Sequence, residues 1–491
     1  MLSRQAPFHR AFDMITLLGS PRRCCDGVTR RETLKAGALS LLGSSFTLPN
    51  LLAAEARKPA SARPGKAKNV ILLYLLGGAA TQDMWDLKPE AAAEVRGEFK
   101  PIDTSVLGIR IGEHLPLTAK WMHKAAIVRS VNHKAGCHNC LPSYTGFETL
   151  MPDQHPRETD PPSMGSVCEY LRGDRGDLPD YVYMPTWLGW GQAFRRAGPY
   201  AGFLGHRYDA LTTECKPYAD EGAKPTPGKP TIVRGQPLLP NTAFDADLTL
   251  DRLNNRRGLL HQFDDRVRAL ETNSAPAGYD RIQQRAFDLM TSSRLRSCFD
   301  LSKEDPRRLD RYGRTLFGNS TLMARKLIEE GVRFVNVTWD LFWDRIQIDY
   351  DAWDTHTNNF SILKTNKLPH FDQTFTALVE DLDRSGMLDD TLLVVMSEMG
   401  RTPKINANGG RDHWTHCYSV VFAGAGIRGG TVYGASDAQA AYVKDRPVST
   451  TDICATIYQC LGIDPHTMVP DRTGRPTPAA PGGRAIEELM V

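Results

Sequence analysis

Val70-Ile71-Leu72-Leu73-Tyr74-Leu75-Leu76, closed by Gly77-Gly78, is an apolar run with no polar break. A strand with one wet face alternates apolar and polar side chains. A run without alternation predicts a strand buried on both faces, the pattern of a parallel sheet sandwiched between helices. Further strand candidates, shorter or interrupted by single polar residues, occupy 125–130, 180–184, 332–337, 391–396 and 418–423. Between and after them, 250–271, 279–328 with interruptions, 368–388 and 451–461 read as helices; Ser449-Thr450-Thr451-Asp452 supplies the cap of the last. Strand–helix alternation at both ends of the chain predicts an α/β fold, a largely parallel central sheet with helices on both faces. The stretch from about 190 to 330, with its Gly-, Pro- and Tyr-rich first part, reads as a partly helical insertion over the active edge.

In such sheets ligands bind beyond the C-terminal ends of the strands, and acids and histidines gather there. Asp83 follows the first run. Trp353-Asp354-Thr355-His356 follows the strand at 332–337, and Glu398, in Ser397-Glu398-Met399-Gly400-Arg401-Thr402-Pro403, follows that at 391–396. Gly410-Arg411-Asp412-His413-Trp414-Thr415-His416 precedes the strand at 418–423. Carboxylate oxygen and imidazole nitrogen are the ligands of divalent cations. Asp354 and His356, two apart in an extended segment, point to one side and can share an ion. Asp83, Asp354, His356, Glu398 and His413 are therefore the expected metal ligands, with Asp412 a candidate for fixing the His413 tautomer or merely forming a turn. The ordinary alternatives are a surface acid at Glu398, a local acid–His pair at Asp354–His356 and a partly exposed His416. Arg401 can bind an oxyanion or pair with Glu398. The loop His133-Lys134-Ala135-Gly136-Cys137-His138-Asn139-Cys140-Leu141-Pro142-Ser143-Tyr144-Thr145-Gly146 offers Cys137, Ser143 and Thr145 as nucleophiles, although a metal-activated water needs none of them.

The chain has 491 residues, 41% hydrophobic and 24% charged, with a formal net charge of +3. Near neutrality at this size gives no argument for nucleic acid or an anionic membrane surface. Thr29-Arg30-Arg31-Glu32-Thr33-Leu34-Lys35, the apolar run from Ala36 to Leu52 and Ala54-Glu55-Ala56 follow the order of a twin-arginine export signal. An amphipathic helix preceded by basic residues is the alternative. The run is shorter than the ~20 residues of a membrane span. The expectation is a signal at 1–56, a linker at 57–67 and one domain from 68 to 491, carried by the twin-arginine machinery to the periplasm or outside, with no span in the mature chain. Ten cysteines are scattered over a long chain, which argues against a small disulfide scaffold. The Cys137/Cys140 pair leaves a thiol redox reading open.

Together, Asn69 to Asp83, Trp353 to His356, Ser397 to Pro403 and Gly410 to Trp414 resemble the signatures of a secreted, twin-arginine-exported family of unassigned function. That family belongs to the alkaline-phosphatase and sulfatase-like superfamily. Ser449 to Ile457 and Leu461-Gly462-Ile463 are similar to the last helix of sulfatases. The resemblance implies an alkaline-phosphatase-like fold. It places Asp83 at the first strand-end metal acid, Glu398 at the Asp of the sulfatase Asp-His pair, and Asp354, His356 and His413 at phosphatase second-metal ligands. It also implies one or two divalent cations (zinc, calcium, magnesium or manganese). Two departures stand out. Met399 replaces the His after the acid, and the sulfatase Cys-x-Pro-Ser-Arg motif is broken, with no Arg after Ser143. The expectation is a metal-dependent hydrolase of small-molecule or polysaccharide sulfate or phosphate esters, with Cys137, His138 and Arg401 as catalytic groups. The rival is a non-catalytic secreted carbohydrate- or surface-binding protein on the same fold.

Overall fold

The computed structural model describes residues 65–136, 138–148, 155–172, 178–189, 194–224, 226–240, 292–340, 342 and 352–491. The export signal, most of the linker, the helix expected at 250–271 and Cys137 lie outside the described residues.

Ten strands position the site: β1 (Asn69–Leu75), β2 (Ala125–Val131), β3 (Tyr181–Met184), β4 (Leu211–Thr212), β5 (Phe334–Trp339), β6 (Thr391–Met396), β7 (Gly400–Arg401), β8 (His413–Trp414), β9 (Tyr418–Gly424) and β10 (Thr431–Tyr433). Eight form one sheet in the order β10-β2-β9-β6-β1-β5-β3-β4. Every neighbouring pair is parallel except those of β9, which runs against both β6 and β2. β7 and β8 form a separate antiparallel ladder, with Gly400 opposite Trp414 and Arg401 opposite His413. The α/β class and the largely parallel sheet expected from the sequence are present. Within the 190–330 stretch, β4 adds an edge strand to the sheet.

β1 shows why its run has no polar residue. Ile71, Leu73 and Leu75 face one core, packed with α3 (Leu316–Glu329) and α4 (Leu368–Arg384); Val70, Leu72 and Tyr74 face the other, with α2 (Met164–Arg172) and α5 (Thr450–Cys460). A short helix, α1 (Leu141–Thr145), follows the loop after β2. Each fully buried Leu or Ile on such a strand contributes about 1.5–3 kcal/mol, so a polar residue on either face would be costly. α5 starts at a capping box, the Ser449 hydroxyl accepting from the Asp452 N–H while the Asp452 carboxylate accepts from the Ser449 N–H. Among the described residues no helix is long and apolar enough to cross a membrane.

Candidate functional site

The C-terminal ends of β1, β5 and β6 deliver three loops to one point. Two residues past the end of β1 lies Gly77, where φ is +113°. A Cβ there would lie 2.5 Å from the backbone nitrogen of Asp354, so glycine lets the 353–356 segment cross directly over the strand end. Leu76 O accepts from the Trp353 N–H at 2.8 Å and fixes that crossing. Gly410 does the same for the other ligand segment, since a Cβ would sit 1.9 Å from His356 O. Trp353 is fully buried, edge-on to Trp339 and Phe371, which anchors Asp354 from behind.

Asp354 is the hub. Its Oδ2 lies 3.4 Å from His138 Nε2 and its Oδ1 lies 3.1 Å from His356 Nε2 and 3.3 Å from His413 Nε2. One donor atom from each of His138, Asp354 and His413 falls within 4.8 Å of the others. Two imidazoles are held from behind by carboxylates. Glu398 Oε1 accepts from His138 Nδ1 at 2.7 Å, and Asp412 Oδ1 from His356 Nδ1 at 2.7 Å. With the Nδ1 proton held by the carboxylate behind it, Nε2 is the nitrogen that faces Asp354, donating to it when protonated and able to ligate a cation when not, the carboxylate–histidine arrangement that prepares imidazole for a metal. His356 Nε2 and His413 Nε2 are 2.9 Å apart, the distance of a hydrogen bond with one proton between the rings. The donor set that would hold a divalent cation is His138, Asp354 and His413, with His356 beside them. His138 and Glu398 form the buried floor, while His356 and His413 form the half-exposed mouth.

The electrostatics follow the same geometry. Burial opposes ionisation of Asp354, but the bonds from the three imidazoles and the Arg401 charge outweigh it and hold the carboxyl well below the usual range. Burial likewise opposes the charged form of Glu398, and His138 reverses the balance and lowers its pKa. His138 is itself desolvated, yet Asp354 and Glu398 raise its pKa. His413, desolvated and facing His138 and Arg401, is pushed down. Glu398→Gln keeps an acceptor for His138 but removes the charge behind it. Its metal affinity is expected to fall by about 10–100-fold, measured by competition with a chromophoric chelator, with little change in fold.

Two of the expected site residues lie apart from direct contact with this donor set or behind it. Asp83 is buried and receives Arg411 Nε and Nη2 at 2.8 Å each, with Asn359 Nδ2 at 2.9 Å. Arg401, its side chain wholly buried, donates Nη2 to Asp354 Oδ1 and Gly77 O, Nε to Gly78 O at 2.7 Å and Nη1 to Arg411 O at 3.1 Å. The structure thus brings together His138, Asp354, His356, Glu398, His413 and, behind Asp354, Arg401. Asp412 serves His356 and not its neighbour His413. In the nucleophile loop, buried Ser143 donates to Cys140 O at 2.9 Å and meets Tyr74 Oη at 2.7 Å, and Thr145 donates to Leu141 O at 2.6 Å. Their hydroxyls are turned into the fold.

Sequence reasoning passed over Arg411, Asn359, Arg196 and the role of His133. Arg196 Nη1 donates to His138 O at 2.9 Å and pins that loop. A signal for Arg411 did exist: an acid at the end of an apolar run, if buried, needs a guanidinium. His133 Nε2 contacts Glu398 O at 2.7 Å, while its Nδ1 is buried without a hydrogen-bond partner among the described residues. Burial lowers its pKa below the ordinary 6.5. A base whose folded value is depressed contributes full stability above about 6.5 and loses it as pH falls, because the unfolded chain takes up the proton first. The melting temperature is expected to drop between about pH 7 and 5, and less steeply in His133→Gln, in parallel thermal melts.

An α/β sheet with an acid–imidazole cluster at the C-terminal strand edge defines a class of candidate metal-site proteins. Residues 67–490 match the family described as "Protein of unknown function (DUF1501)", and the chain belongs to that family. Comparison with curated proteins gives no match. Among solved structures the chain is similar to the phosphonate monoester hydrolase SpPMH from Silicibacter pomeroyi, at 14% identity over 86% of this chain and 76% of that one, TM-score 0.34. It is also similar to the PsFucS1 sulfatase from Pseudoalteromonas sp., at 14% identity over 84% and 72%, TM-score 0.36. A third similarity is to a protein in the alkaline phosphatase superfamily from Vibrio parahaemolyticus, at 11% identity over 87% and 78%, TM-score 0.33.

Proposed function

We propose that this protein is a metal-dependent hydrolase of sulfate or phosphate esters, of the alkaline-phosphatase-like kind and exported by the twin-arginine route. The observation that carries the proposal is the convergence of three imidazoles on Asp354, two of them oriented by carboxylates placed behind them. Imidazole-rich ligation suits zinc better than calcium, magnesium or manganese, which prefer oxygen ligands. A bound ion supplies Lewis-acid polarisation of an ester oxygen and a coordinated water acidic enough to attack near neutral pH.

The residues divide the remaining work. Asp354 holds negative charge at the centre and keeps the three rings turned inward. Glu398 and Asp412 hold the Nδ1 protons of His138 and His356. The half-exposed His356 and His413 edge is the side from which a small-molecule or polysaccharide ester would approach. With Ser143 and Thr145 turned into the fold, water is the favoured nucleophile among the groups described. Export is proposed from the Arg30-Arg31 pair and the apolar run after it.

The test is elemental analysis of the purified protein after dialysis against a weak chelator, followed by assays on aryl sulfate, phosphate monoester and phosphate diester substrates. Retained zinc with turnover lost on chelation is the expected result. Retained metal without turnover on any of these esters would favour a non-catalytic carbohydrate- or surface-binding protein. No retained metal would remove the basis of the proposal.

A further inference from the structure

Arg401 does something unusual for a cation beside a metal site. Its guanidinium lies within a ring of oxygens: Gly77 O, Gly78 O, Arg411 O and Asp354 Oδ1. Three backbone carbonyls and a carboxylate are the ligand types of a hard cation cage. Here the cage is filled by a permanently charged side chain with no solvent exposure.

The other carboxylates near the sheet edge are also committed. Both Asp83 oxygens accept from Arg411. Glu398 Oε1 accepts from Gly77 N–H at 2.8 Å and from His138, and its Oε2 accepts from Ser397 Oγ at 3.1 Å. Among the described residues, the donor atoms that converge on one point are therefore those of Asp354, His138 and His413, with His356 beside them. Resting on the metal-site reading above, we propose that Arg401 is the resident second cation of this centre, so that the site takes one divalent ion and not two.

Charge makes the proposal specific. Asp354, Glu398, Asp412 and Arg401 sum to two negative charges, which a single divalent ion balances. A second ion would have to enter beside a fixed guanidinium, against repulsion that low dielectric makes strong. Removing the guanidinium should therefore tighten the first ion. Arg401→Met fills similar space without charge, and Arg401→Lys keeps the charge.

The experiment is zinc titration of the metal-free full chain, with bound metal counted by plasma mass spectrometry and affinity read by chelator competition. Wild type is expected to hold one zinc per chain, with no second equivalent at millimolar zinc. Arg401→Met should still hold one, bound more tightly by roughly tenfold or more, and Arg401→Lys should match wild type. Two ions in wild type would overturn this proposal and leave the metal-hydrolase reading standing. No ion in wild type would overturn both. Weaker binding in folded Arg401→Met would overturn the counter-charge role. If Arg401→Met does not fold, the wild-type count and the Arg401→Lys affinity decide the matter, and a weakened Arg401→Lys overturns it.

Discussion

Asp83→Ala is expected to destabilise the protein by about 3–5 kcal/mol, the cost of breaking a buried ion pair from one side. Asp83 and Arg411 are 2% and 0% exposed at their side chains, so the loss is not refilled by water. Arg411 would keep its bonds to the Val95, Thr402 and Pro403 carbonyls but lose its only anionic partner among the described residues. Asn359 Nδ2 would also lose its acceptor. The damage should spread to the site, because the Arg411 N–H donates to Thr355 O at 3.0 Å and Thr355 Oγ1 to Asn359 Oδ1 at 2.6 Å. That network ties the segment carrying His413 to the one carrying Asp354 and His356. Denaturant unfolding checks it: the midpoint should fall with an unchanged slope. Joint replacement by Asp83→Leu and Arg411→Met should recover part of the loss, since an apolar pair removes both charges together. A loss below about 1 kcal/mol would show the pair to be as weak as a solvated surface bridge.

The same pair shows what a single sequence reveals and what it withholds. Asp83 was visible as an acid after a buried strand, and chemistry alone suggested a metal for it. Its partner lies 328 residues away, and no local pattern announces a pairing of that span. The strands were legible because burial on two faces imposes an unbroken apolar run: the expected 391–396 is the observed β6. The expected 332–337 ends two residues before the observed β5, because Thr338 and Trp339 continue the ladder without looking apolar as a pair. The two-residue strands β4, β7 and β8 leave no period to detect. Asp412 read either as a partner for adjacent His413 or as a turn residue, and it serves His356. Neighbours on a strand point to opposite sides, so the residue next in sequence is a poor candidate for contact. His138 was visible as part of a His- and Cys-rich loop; that it bridges Glu398 and Asp354 depends on where three strands end.

Replacing Asp354 and His413 together by alanine is expected to abolish metal retention, a larger loss than the ~10–100-fold that follows removal of a group behind a ligand. The two singles should differ in kind. Asp354→Ala takes the hub from three imidazoles and leaves the buried Arg401 guanidinium without its carboxylate. Lost metal in that variant would be entangled with lost stability. His413 is half-exposed, and its ring has no comparable buried charge depending on it. His413→Ala should melt close to wild type while binding metal far more weakly, so it separates ligation from folding. Asp354→Asn gives the complementary case: the amide keeps size and partial hydrogen bonding but withdraws the negative charge that draws in the cation. Chelator competition and thermal melts on the same preparations distinguish the outcomes. Full metal content in the double variant would mean that the ion sits elsewhere, and the imidazole cluster would then be a hydrogen-bonded network around a buried aspartate.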